Sequence, residues 1–259
     1  MLFLLIAICL SIGLASCLRS ALTPEGQIIF SGFNGVGVVA AFVAFAAVGF
    51  LFGFTVAACT LLSLFIYELG QMLARRSLGV KQAELRLLPL PFLSRTKAPH
   101  LGDDPLGDCY VALMGAGLSL APLALAFTAS QLLVPYNHEL ATLALTFAVT
   151  CGAVNFIMLL PFVPLDGGHC VRVFAYSFWP AIGPAITCFM IAVFASASLK
   201  DGSVAFMVLA AIGLQSLLPR RFKVQRPLAP NDALTVLAAY SFTLAAHFCG
   251  GWWLIQTLI

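Results

Sequence analysis

Charge is what this sequence has least of: 9% of its 259 residues are Asp, Glu, Lys or Arg, against about 25% in a soluble domain. With 61% hydrophobic residues and a mean hydropathy of +1.03, the chain has too few polar side chains to cover a water-facing surface. A soluble globular domain, a disordered chain and a nucleic-acid binder working through a broad basic face are thereby excluded. Paired cysteine motifs are missing too. The eight cysteines stand singly, at 9, 17, 59, 109, 151, 170, 188 and 249, with no C-x-x-C among them. They read as small apolar residues with free thiols, not as a disulfide framework. Nor is there a basic n-region, because no Lys or Arg precedes the apolar run ending at Ser16 and the first is Arg19. An uncleaved first helix with its amino terminus outside is therefore expected.

What is present is a series of apolar runs, at about 2–18, 36–75, 109–133, 140–160, 181–199, 204–218 and 232–257. Runs of this length cross a bilayer as helices, because only a helix satisfies its own backbone in hydrocarbon. The run over 36–75 is too long for one crossing and breaks most naturally at Gly49–Gly53, although G-x-x-x-G spacing also suits close helix packing. A shorter helix over about 167–178 follows the break at Pro161–Pro164. The expectation is an all-α polytopic membrane protein of about seven to eight transmembrane helices in one membrane domain, 1–259, with 181–259 as additional transmembrane helices. Basic residues cluster at Arg75–Lys97 and at Arg220–Arg226, whereas Tyr136–Glu139 has none. The positive-inside rule makes both basic loops cytoplasmic. A multi-pass protein of this compactness suits a bacterial inner membrane.

The stretch 80–108 is the one sizeable non-helical region expected, on the cytoplasmic side. Gly79 suits a helix C-cap. Ala83-Glu84-Leu85-Arg86-Leu87 alternates as a short strand does, and Leu88-Pro89-Leu90-Pro91-Phe92-Leu93 is apolar but broken by proline. A membrane-dipping β/loop segment packed on protein fits that pattern.

Of the ten acidic residues, only Glu68 and Asp166 sit in or beside expected spans. A carboxylate there costs several kcal/mol unless paired or facing a polar cavity, which marks both as functional candidates. Glu68 lies in Tyr67-Glu68-Leu69-Gly70-Gln71-Met72-Leu73-Ala74-Arg75-Arg76-Ser77-Leu78-Gly79-Val80. Asp166 lies in Asn155-Phe156-Ile157-Met158-Leu159-Leu160-Pro161-Phe162-Val163-Pro164-Leu165-Asp166-Gly167-Gly168. Together these segments resemble the site-2 protease family of intramembrane zinc metalloproteases. Its two signatures are H-E-x-G-H before Ala-Arg-x-x-Gly-Val, and Asn-x-x-Pro-x-x-Pro-Leu-Asp-Gly-Gly on a later span. The resemblance covers a protease-like core of about 55–175. Between the halves, Gly115-Ala116-Gly117 stands where the family has a Gly-Pro turn.

The resemblance implies that Glu68 is the general base and Asp166 a metal ligand, with Asn155, Pro164, Gly167 and Gly168 beside the bound substrate. The two histidine positions that would complete a zinc site are Tyr67 and Gln71. A phenol, with an ordinary pKa near 10, must ionise to bind a metal well, and a glutamine oxygen is a hard neutral donor better suited to calcium than to zinc. No cofactor is therefore expected where the family uses zinc. A site moved to Asp166, His169 and Cys170 is a minor alternative. The expected function is an inactive relative that binds or regulates transmembrane or extended protein segments, with membrane lipids around it and no nucleic acid. Two alternatives are an active intramembrane zinc protease with unorthodox ligation, or an inactivated variant of an active parent, and a transporter that uses Glu68 and Asp166.

Overall fold

The computed structural model describes residues 2–22, 27–33, 35–86, 104–217 and 227–258. Chain order runs α1 (Leu2–Leu18), a 3-10 turn (Arg19–Leu22), β1 (Gln27–Ser31), α2 (Gly35–Phe52), α3 (Phe54–Ser77), β2 (Gln82–Arg86), α4 (Pro105–Leu133), α5 (His138–Met158), α6 (Asp166–Phe178), α7 (Ile182–Asp201), α8 (Val204–Leu217) and α9 (Pro230–Leu258). Among the described residues six helices are long and apolar enough to cross a membrane: α1 with its 3-10 extension, α2, α3, α4, α5 and α7. The shorter apolar α8 and the 29-residue α9 accompany them, so the elements follow the apolar runs of the sequence. Large apolar side chains face outward, Phe50 at 90% exposure and Phe42 at 70% among them. That is unfavourable in water and natural against lipid tails.

The long run over 36–75 divides at Gly53, whose φ of 91° and ψ of 156° belong to a region open to glycine alone. Gly49 fills the other half of the G-x-x-x-G pair by packing: a Cβ there would meet the Phe54 ring at 3.4 Å. At the far end of α3, Gly79 adopts φ 79°, its N–H bonds the Arg76 carbonyl, and the Val80 N–H bonds that of Arg75. This paired closure is a Schellman cap, and it turns the chain directly into β2.

β2 pairs with β1 in parallel, from Gln27 opposite Gln82 to Ser31 opposite Arg86. The strand read from Ala83–Leu87 is thus present as Gln82–Arg86. Its partner β1 carries no alternating pattern, since its first four residues are all exposed, and so it leaves no periodic signal. The pairing also brings the chain after α1 beside the end of α3. Leu88–Leu93, expected to dip toward the membrane, lies outside the described residues. The non-helical stretch ends earlier than the sequence suggests, because α4 begins at Pro105 and not after Asp108. A proline suits the first helical turn, where its missing N–H has no partner to lose.

α4 runs unbroken from Pro105 to Leu133, so Gly115-Ala116-Gly117 forms no turn. Gly115 serves close packing instead, as does Gly70 opposite it. A Cβ on Gly70 of α3 would strike the Met114 carbonyl, and one on Gly115 would come within 2.8 Å of the Tyr67 ring. α3, α4 and α5 pack on one another, and α9 closes over α5, α4 and α6. Cys59, Cys109, Cys151 and Cys170 are buried free thiols in these helices.

Candidate functional site

Tyr67, Gln71 and Arg75 recur every four residues along α3, which stacks them on one helical face. At 1.5 Å per residue, Gln71 and Tyr67 lie ~9 and ~15 Å from the end of the helix at Ser77. Tyr67 is 1% exposed and Glu68 2%.

Asp166 arrives from the opposite side as the first residue of α6, where a carboxylate is favoured by the helix dipole. The turn before it, Leu159–Leu165, is buried except at Val163 and Pro164, and three of its backbone groups are bonded by later helices. The Tyr240 hydroxyl of α9 donates to the Leu159 carbonyl at 2.7 Å. Thr187 of α7 donates to the Pro161 carbonyl at 3.3 Å. The Val163 N–H donates to Ser216 Oγ of α8 at 3.2 Å. A buried backbone group left unpaired costs free energy, so α7, α8 and α9 each fasten the loop that aims Asp166. Gly167 and Gly168 complete the fit. A Cβ on Gly167 would overlap the Leu159 carbonyl, and one on Gly168 the backbone of Phe162 and Val163.

The side chains meet in a connected network. The Tyr67 hydroxyl donates to Asp166 Oδ2, and Gln71 Nε2 donates to the same oxygen at 2.6 Å. Gln71 Oε1 accepts from Arg75 Nη2 at 3.0 Å, while Arg75 Nη1 donates to the Glu84 carbonyl of β2 at 3.2 Å. Because a guanidinium only donates, the amide orientation is fixed: oxygen toward Arg75, nitrogen toward Asp166. Glu84 in turn pairs with Arg86 at 3.3 Å. Burial works to raise the Glu84 carboxyl, but a hydrogen bond from Ser31 and the Arg86 charge outweigh it and hold the group below its ordinary range.

A cavity of about 50 Å³ opens between these groups, lined by Tyr67, Glu68, Gln71, Asp166 and Arg86, with Met158, Pro164 and Leu165 as its apolar wall. Glu68 Oε2 has no hydrogen-bond partner among the described residues. Of the residues proposed from sequence, the structure thus brings Tyr67, Glu68, Gln71, Asp166 and Pro164 together. Asn155 stands apart, fully buried and donating to the Cys151 carbonyl at 2.7 Å. Gly167 and Gly168 face the turn and not the cavity.

The donor set does not fit zinc. The one Gln71 atom able to bind a metal is committed to Arg75, the un-ionised phenol of Tyr67 is committed to Asp166, and a single carboxylate remains. Among the described residues no three His, Cys, Asp or Glu side chains gather where a metal could be held. Cys170, part of the relocated alternative, points at the Cys109 carbonyl at 3.9 Å.

Sequence reasoning read Arg75 and Arg86 as topology signals and as parts of the motif and strand patterns, and gave neither a place in the site. Arg75, at i+4 from Gln71, could have been placed in the site by helical spacing. Nothing local marks Thr187, Ser216 or Tyr240.

No family model and no curated protein matches this chain. Among solved structures, the chain is similar to the site-2 protease from Methanocaldococcus jannaschii, at 17% sequence identity and a TM-score of 0.46, with 80% of this chain and 97% of that one covered.

Proposed function

We propose that this chain is a multi-pass membrane protein of site-2-protease-like design that does not hydrolyse peptides and instead binds or regulates transmembrane or extended protein segments. The observation that carries the reading is the hydrogen-bond network of Tyr67, Gln71 and Asp166. These are the positions at which the sequence motifs would place zinc ligands, and their polar atoms are satisfied by one another and by Arg75. Water attack on a peptide needs an activated nucleophile, and Glu68 acting alone gains no help from these neighbours. The surfaces around this cavity receive the segment, with lipid covering the outward apolar faces.

The test is a fluorogenic transmembrane peptide in proteoliposomes. Cleavage by the unmodified protein is expected to stay at the protein-free background, and Glu68→Gln to change nothing. Cleavage above background that disappears in Glu68→Gln would overturn the proposal.

A further inference from the structure

Two carboxylates line the cavity of about 50 Å³, and each keeps an oxygen that the network does not use. Glu68 is 2% exposed, and its Oε2 has no partner among the described residues. Asp166 takes the bonds from Tyr67 and Gln71 on the same oxygen, Oδ2, which leaves Oδ1. The rest of the wall is apolar, formed by Met158, Pro164 and Leu165. Met158, Pro164 and Asp166 are only part-buried, so the cavity is open on their side.

The charges around the cavity do not balance. Glu68, Glu84 and Asp166 face Arg75 and Arg86, an excess of one negative charge. Arg86 pairs with Glu84 at 3.3 Å, and Arg75 spends its donors on two neutral acceptors, Gln71 Oε1 and the Glu84 carbonyl. An uncompensated charge away from water is costly. The missing partner therefore carries one positive charge and donates hydrogen bonds. Water donates but brings no charge. Calcium and magnesium want six or more oxygens, which an apolar wall does not supply. A guanidinium brings five donors to a site with two free acceptors. A primary ammonium on a methylene stem matches both halves of the cavity, with a compact charged head for the carboxylates and an apolar stem for the wall.

We propose that the cavity binds a primary ammonium group, with Glu68 Oε2 and Asp166 Oδ1 as its acceptors, and that this group is the end of a lysine side chain on the bound segment. The assignment of lysine rests on the reading of the chain as a binder of protein segments, and it gives such a segment a required residue. A phosphatidylethanolamine head group carries the same ammonium, but two carbons from an anionic phosphate, which the excess negative charge of the cavity repels. In a lysine, four methylenes follow the head, and these lie along Met158, Pro164 and Leu165.

Thermal unfolding of the full chain in detergent tests the site, with n-butylammonium chloride as the probe and sodium chloride at equal ionic strength as the baseline. A ligand of the folded state raises the midpoint, and butylammonium is expected to raise it by about 2 °C or more. Tetramethylammonium, which has the charge without an N–H, and n-butanol, which has the stem without the charge, leave it unchanged. The rise disappears in Glu68→Gln and in Asp166→Asn, each measured against its own baseline, so a variant of lower stability still reports. No rise in the unmodified protein, or an equal rise in both variants, overturns the site, and an equal rise with sodium than without it makes the occupant an inorganic cation and overturns it too. Phosphoethanolamine is expected to give no rise, and one equal to that of butylammonium assigns the site to a lipid head group and overturns the lysine. A transmembrane peptide carrying one lysine is expected to bind in phosphatidylcholine nanodiscs about tenfold or more tightly than its norleucine counterpart, the loss expected for a charged group left unpaired. Equal binding also overturns the lysine. The butylammonium measurement involves neither a segment nor cleavage, so its failure is distinct from failure of the proposed function.

Discussion

Changing Tyr67 and Gln71 together to histidine is expected to yield a chain that holds about one zinc ion, the occupancy of a single three-ligand site. The geometry is already assembled for it. Tyr67 and Gln71 lie one turn apart on α3, and both bond the same Asp166 oxygen, so two imidazoles there would converge with that carboxylate. Space is sufficient, because the tyrosine ring already rests on Gly115 and an imidazole is smaller. Arg75 would lose Gln71 Oε1 but keep the Glu84 carbonyl. Either single change leaves one histidine and one carboxylate, too few for a stable site. Metal analysis after detergent purification and dialysis reads the result for all three variants. A double variant without zinc would mean that these positions do not form a ligand set.

The second large effect concerns Gly167. Its Cα sits where an added methyl would overlap the Leu159 carbonyl and lie 2.7 Å from the Leu159 Cα. Backbone atoms do not step aside as a flexible side chain can. The residues that must shift also carry the bond from Tyr240 to the Leu159 carbonyl. Gly167→Ala is expected to destabilise the protein by about 3 kcal/mol or more, the upper end for overpacking, and to misplace Asp166. Gly13 in α1 serves as the control, since a Cβ there meets nothing within 4 Å and alanine is the better helix former. Thermal unfolding in detergent separates the two: a large fall in midpoint for Gly167→Ala, and little change or a rise for Gly13→Ala. Equal midpoints would mean that the contact of α6 with its turn is not tight.

Much of this was readable because it is local. Apolar runs gave the helices, Gly53 and Gly79 the breaks, and alternation at 83–87 the strand. Glu68 and Asp166 stood out because acidic groups are rare in spans, and the motif around Glu68 then pointed to Tyr67 and Gln71. Other features were not readable because their causes lie far apart in the chain. β1 is an exposed segment whose only reason to be extended is β2, 55 positions later in the register. Thr187, Ser216 and Tyr240 sit in helices as ordinary hydroxyls until the turn at 159–163 folds against them. Arg75 belongs to both kinds. Its spacing from Gln71 was visible, but its bond to the Glu84 carbonyl depends on where the Schellman cap delivers β2.

The most direct measurement is the zinc content of the unmodified chain, expressed with zinc in the medium, purified in detergent and compared with Asp166→Asn. Both are expected to carry far less than one ion per chain and to be indistinguishable, because Tyr67 and Gln71 donate to Asp166 and leave a metal no second ligand. About one zinc per unmodified chain, lost on Asp166→Asn, would contradict the network as the settled state of the site and overturn the reading of the chain as inactive.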